Sequence, residues 1–297
     1  MKSALIPVLL STAAVLFPRV QDDAVPGLDA ASILKRAAKA QHGEELARKV
    51  TSVDLSLYLQ VRDPDKGKLE FDVERRFQLP DMIWTRIADR QLSGTIQQTG
   101  FDGRQAWNHD ERKKETIQLE GPDFRKDREV IQDEVKTMRR LLDFFFLENL
   151  LPRLTDLERL PDESSPSGDL HSLVVRARGD LDGGDVEDGG AGGPAEVTIW
   201  IEDDSYRLLG VRVVPRVVPS IESEDAPETS EQFCFWSHRP TPQGVVVPGS
   251  VKIYRDDEPR PSEVIGLHTI EDDEGRVLNK IIFNQKMSAE QFQPPGG

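Results

Sequence analysis

The chain has 297 residues, of which 37% are hydrophobic and 31% charged, and a formal net charge of −15. That length and apolar content allow one sizeable β domain, while the acidic balance excludes a binder of nucleic-acid phosphates and electrostatic adhesion to anionic lipid headgroups. The single cysteine, Cys234, excludes an internal disulfide, so packing alone must hold the fold.

Lys2 precedes a mostly apolar run from Ala4 to Phe17, and Arg19, Asp22 and Asp23 follow it. A basic start, a short apolar stretch and a polar exit predict a secretory signal peptide over residues 1–24 and a mature domain over 25–297. The run is shorter than the ~20 apolar residues that span a bilayer. The alternative is an uncleaved N-terminal anchor. No cysteine stands at the end of the run, which excludes lipid attachment at a processed N-terminal cysteine.

Asp29 is placed to cap a helix in which Ile33, Leu34, Ala37 and Ala38 share a face. Gly43 interrupts before a second helical piece that reaches Val50. From Thr51 the period becomes two, with Val53, Leu55 and Leu57 alternating with polar neighbours. The next strand places Leu69, Phe71, Val73, Phe77 and Leu79 on one face and Glu70, Asp72, Glu74, Arg76 and Gln78 on the other. Arg75 falls on the apolar face. Three roles fit it: contact with a ligand headgroup, a tie to a lid, or a place at the strand's twisted edge. Pro80 ends the strand because it offers no N–H to the ladder. Strands follow at Ile83–Ile87 and Gly94–Thr99, and an Asp102-Gly103 turn leads into a segment holding Trp107.

Between Asp127 and Leu151 the helical period returns, with Ile131, Val135, Met138, Leu142 and Phe145 on one stripe, until Pro152 stops it. A helix with so apolar a face, in an otherwise β chain, must bury that face against a sheet or in a barrel mouth. It either plugs a core or serves as a movable lid. The Asp/Gly-rich stretch 180–194 lacks the distal Glu of a calcium loop and is expected to be solvated, as is the acidic stretch 220–230. Between and beyond them, strands are predicted at Val197–Ile201, Tyr206–Val214, Phe233–Trp236, Val251–Tyr254, Val264–Ile270 and Val277–Phe283. Short strands without alternating helices indicate a mainly β, antiparallel sheet or barrel. Cys234, in one of them, is expected to be a buried, inert thiol.

The five histidines are scattered, without HExxH or paired spacing, and no G-x-S-x-G, P-loop or G-x-G-x-x-G is present. Among 53 acidic residues a carboxylate pair is always available, but solvated faces account for them. No cofactor and no metal are expected. The four tryptophans, Trp84 among them, fall in strands, where core packing explains them and a pocket lining is the alternative.

Three segments in order resemble a known family: a strand ending at Pro80 followed closely by Trp84, the turn Asp102-Gly103-Arg104-Gln105-Ala106-Trp107, and the C-terminal Phe292-Gln293-Pro294-Pro295-Gly296. With the N-terminal helix and the signal peptide before them, they resemble the bacterial periplasmic lipoprotein carrier and outer-membrane lipoprotein-sorting (LolA/LolB-like) family. Trp200-Ile201-Glu202 before Tyr206 fits that family's later strands. The resemblance implies one strongly curved antiparallel sheet, an incomplete barrel, with an N-terminal helix and a lid helix over an interior that holds acyl chains. It departs at one place. The carriers have an arginine directly before the proline, understood to tie the lid down, and here Leu79 stands there.

The expected function is therefore a periplasmic, monomeric binding and carrier protein, not an enzyme, for lipoprotein acyl chains or another lipid, with membrane proteins as donor and acceptor. Leu69, Phe71, Val73, Arg75, Phe77, Trp84, Met138, Leu142 and Phe145 are the expected ligand contacts. The alternatives are an envelope sensor or scaffold of the same fold that binds a protein partner, and a secreted hydrolase working through carboxylates.

Overall fold

The computed structural model describes residues 28–295 apart from 48, 64, 92–95, 167, 169, 180, 182–192, 217–229 and 257. The expected signal peptide lies outside the described residues, as do most of the two expected loops.

Two short helices, α1 (Ala30–Ala40) and α2 (Glu44–Ala47), lead into six strands: β1 (Ser52–Asp63), β2 (Gly67–Gln78), β3 (Met82–Asp89), β4 (Ile96–Phe101), β5 (Ala106–Asp110) and β6 (Glu115–Gln118). The helices α3 (Arg125–Phe145) and α4 (Leu147–Leu150) follow. Then come β7 (Leu154–Ser164), β8 (His171–Gly179), β9 (Gly193–Glu202), β10 (Leu208–Arg216) and β11 (Glu231–Trp236). The chain closes with β12 (Arg239–Pro240), β13 (Val246–Val247), β14 (Ser250–Arg255), β15 (Glu263–Leu267), β16 (Thr269–Glu271), β17 (Val277–Asn279) and β18 (Ile281–Phe283).

The main sheet runs β6-β5-β4-β3-β2-β1-β15-β14-β11-β10-β9-β8-β7, with β18 also on β1. Every pairing in it is antiparallel. The two ends, β6 and β7, do not pair, so the sheet is an incomplete barrel. They are nonetheless consecutive along the chain. The segment between them must therefore cross from one edge of the sheet to the other, and that segment is α3 and α4.

Asp29 caps α1 as its sequence predicts, its carboxylate accepting from the Ser32 N–H at 2.7 Å. The buried face of α1, Ile33, Leu34, Ala37 and Ala38, joins that of α3 and the sheet's inner face in one core. Pairs such as Val53–Phe77–Ile83 and Leu57–Val73 fix which side chains share that inner face. The period-two pattern of β1 and β2 thus determines their register, because a slip by one residue would turn Val53, Leu57, Val73 and Phe77 to solvent.

The structure differs from expectation in three main ways. The helix predicted over Asp127–Leu151 breaks at Phe146, whose φ of −132° and ψ of 75° leave the helical region. Strands β7 and β8 stand where none was predicted. Most of β7 is exposed and polar, so it carries no apolar alternation; it is an edge strand held by β8, with register shifts that mark bulges. The single strands expected at Val264–Ile270 and Val277–Phe283 are each split in two, at His268 and Lys280.

Candidate functional site

The inner face of β2 places an ionic residue, Arg75, under the helix. Leu55, Arg75, Thr85 and Thr99 form a row across the four strands, and Arg75 in that row is only 8% exposed. Its Nε donates to Thr85 Oγ1 at 3.2 Å, Thr85 Oγ1 donates to Glu134 Oε2 at 3.0 Å, and the Arg75 guanidinium lies 3.5 Å from the same carboxylate. Glu134 belongs to α3. Of the three roles open to Arg75 in the sequence, a tie between sheet and helix is the one its contacts make; a twisted-edge position does not describe a buried, paired side chain. Arg76 faces the other way, 3.4 Å from Asp54 and over the Trp84 ring. Burial pushes the Asp54 carboxyl up, against the pull of Arg76.

Further contacts hold α3, among them Arg128 donating to the Leu119 and Gly121 carbonyls, each at 2.8 Å. Arg139 donates through Nε and Nη2 to the Pro80 carbonyl at 2.9 and 2.7 Å. Arg140 pairs with Glu231 on β11. Leu79 is 38% exposed, and at this corner the arginine comes from the helix and its acceptor from the strand's end. Beneath these polar contacts Ile131, Val135, Met138, Leu141, Leu142, Phe144 and Phe145 are buried, with Phe144 against the rings of Phe233 and Phe235 at 5.1 and 5.6 Å.

The break after α3 is stabilised by a residue that sequence reasoning did not single out. The buried Gln41 donates from Nε2 to the Phe144 carbonyl at 2.7 Å, and its Oε1 accepts from the Leu147 N–H at 2.8 Å. One amide thus serves an orphan carbonyl of α3 and an orphan N–H of α4. At this corner a cleft of about 150 Å³ opens. Val50, Leu79, Leu142, Phe146 and Leu181 give it an apolar lining, and Arg139, Asp143, Asn149 and Arg153 a polar one. Arg153 is paired with Asp143.

Of the residues expected to contact a ligand, Val73, Arg75, Phe77, Met138, Leu142 and Phe145 meet in the space between sheet and α3, all buried. Phe71 packs half-buried at the margin of that core, and Leu69 lies one pair further out, half-buried opposite Val61. Trp84 is not with them. It pairs with Arg76 and Gly100, so it points to the outer face, and the inward residues of β3 are Ile83, Thr85 and Ile87. The signal was the alternation of Ile83 and Ile87, whose parity excludes Trp84.

On that outer face Trp84, Trp107 and Phe292 form a separate apolar cluster with Met82 and Met287. Trp107 donates its indole N–H to the Phe292 carbonyl at 2.8 Å. Residues from three segments far apart in sequence thus meet in one cluster. Cys234 is buried, and burial pushes its thiol up, as an inert core cysteine requires. Among the described residues no cluster of three His, Cys, Asp or Glu is placed to hold a metal ion, and no helix is long and apolar enough to cross a membrane.

No family profile and no curated protein matches the chain. Among solved structures it is similar to a LolA superfamily protein from Nitrosomonas europaea, with 13% identity, a TM-score of 0.44, and coverage of 90% of this chain and 99% of that one. An outer membrane lipoprotein-sorting protein domain from Vibrio parahaemolyticus gives 9% identity and a TM-score of 0.39 over 87% and 97% of the two chains. A DUF1329 family protein from Desulfovibrio piger gives 10% and 0.42 over 88% and 97%.

Proposed function

We propose that the chain is a periplasmic binding protein for the acyl chains of a lipid or lipoprotein, with α3 as its lid. The observation that carries this is the construction of α3. An apolar face covers the open side of an incomplete barrel, while polar contacts hold it shut, among them Arg75–Glu134 beneath the helix and those of Arg139 and Arg140 at its rim. Polar ties of this kind exchange for water on opening, whereas the seven buried apolar residues do not. Lifting them into water costs on the order of 10–20 kcal/mol, at about 1.5–3 kcal/mol each. An acyl chain of about sixteen carbons, at ~0.8 kcal/mol per methylene, supplies about 12 kcal/mol of replacement burial. Opening is therefore disfavoured in water and feasible when a chain enters.

A second reading, in which the same fold is a scaffold for a protein partner, is favoured by the packing under α3: its seven apolar residues are buried in one core with the sheet. The cleft beside them, about 150 Å³, is smaller than the roughly 300–1,000 Å³ of a small-molecule site, the clefts of about 320 and 520 Å³ being lined elsewhere. One experiment separates the two. Native mass spectrometry of the protein from an envelope fraction, with organic extraction, is expected to reveal co-purified phospholipid or acylated protein, lost in a Phe71→Asp variant that keeps its circular dichroism. An empty protein that also fails to bind a fluorescent fatty acid would transfer the function to the scaffold.

A further inference from the structure

We propose that the cleft beside the C-terminal half of α3 receives the anionic head, carboxylate or phosphate, of the amphiphile whose chain lies beneath the lid. This rests on the acyl-chain reading above and adds the chemistry of the ligand's head. Two guanidiniums and one carboxylate line the cleft, Arg139, Arg153 and Asp143, on a chain whose net charge is −15. Arg153 and Asp143 are paired with each other. Arg139 is held by the Pro80 carbonyl, which orients a guanidinium without neutralising it. Its planar fork of five N–H donors suits a carboxylate or phosphate oxygen pair. The overall negative charge opposes adhesion to an anionic surface, but screening confines that opposition to about a Debye length, ~8 Å at physiological salt. At contact the local cation decides.

The apolar half of the lining gives the arrangement its direction. Leu142 and Phe146 are buried residues of the core under the helix, whereas Leu79 is exposed at the rim. A head at Arg139 therefore places the first carbons of its chain against Leu142, the residue through which the cleft joins the lid's buried face. A cleft of about 150 Å³ holds the head end alone; the remainder of the chain requires α3 to move. Arg139 then has two roles at one point, because an anion that draws its guanidinium from the Pro80 carbonyl also releases a tie of the lid.

Titration of the purified protein with four ligands below their micellar concentrations tests this: oleate, oleoyl lysophosphatidate, oleyl alcohol and oleoyl lysophosphatidylcholine. The expected result is about tenfold tighter binding of oleate than of oleyl alcohol, the scale of one partly exposed charge-assisted hydrogen bond. Arg139→Gln is expected to abolish that difference, the lost Pro80 tie acting on oleate and oleyl alcohol alike and so leaving their ratio to report the head contact, and Arg139→Lys to keep most of it. A variant that merely loosened the lid would change both affinities together. Oleate tighter than lysophosphatidate identifies a carboxylate head, and the reverse a phosphate. Equal binding of oleate and oleyl alcohol overturns the head-site proposal and leaves the acyl-chain reading standing. No binding of any of the four overturns both.

Discussion

Removing the carboxylate of Glu134 leaves Arg75 under the helix without its charge partner. Breaking a buried ion pair on one side costs about 3–5 kcal/mol. Here the Glu134 side chain is 20% exposed and its oxygen is 3.5 Å from the guanidinium, while Thr85 still accepts from Arg75. The cost of Glu134→Ala is therefore placed lower, at about 2 kcal/mol, or roughly 4–8 °C in Tm for a domain of this size. The double variant Arg75→Met with Glu134→Leu removes both charges and fills their volume. It is expected to return to within about 1 kcal/mol of the parent or above it, because no charge is then left buried. Urea unfolding followed by circular dichroism measures both. A Glu134→Ala protein within about 0.5 kcal/mol of the parent, or a double variant less stable than the single, refutes the assignment of this pair as a buried tie.

Gly100→Ala tests the outer cluster. A Cβ at Gly100 would stand 2.5 Å from the Trp107 ring, and overpacking of this kind costs about 1–3 kcal/mol; a red-shifted tryptophan emission is expected with it, and an unchanged Tm would contradict the contact. His238 sets a pH dependence, since its imidazole is pushed from 6.5 down to about 4, chiefly by burial and then by the nearby Arg207. Its folded-state pKa is depressed, so the unfolded chain binds the proton first and stability falls as pH drops from about 6.5 toward 4. Between pH 7 and pH 5 the loss is on the order of 2 kcal/mol, and His238→Gln is expected to flatten that part of the profile. A variant with the parent's slope over this range would remove His238 as its cause.

The sequence showed most clearly those elements whose faces differ. Asp29 and the stripe from Ile33 to Ala38 mark α1, and the alternation of Val73 and Phe77 marks β2, since burial on one side requires such patterns. The inward arginine was also legible, but its partner was missed. Glu134 stands on the same stripe as Ile131, Val135 and Met138, where a carboxylate is out of place unless an inward cation meets it. Arg75 was that cation. The break at Phe146 had no local signal, because Gln41, which satisfies both sides of it, lies 103 residues away from Phe144. Strand β7 was invisible for a different reason: an exposed edge has no face to bury, so nothing in Leu154–Ser164 alternates. Trp84 shares its parity with Met82 and Arg86 rather than with Ile83 and Ile87, which sets it on the outer face.

The claim that α3 opens to admit a chain is tested most directly by distance. Spin labels at Lys136 on the exposed side of α3 and at Glu74 on the outer face of β2, in a Cys234→Ala background, report the separation of helix and sheet by double electron–electron resonance. One narrow distribution is expected without ligand, and a second, longer population when oleate is added to saturation. Oleate bound with the distribution unchanged would contradict lid opening, and α3 would then be a fixed part of the core.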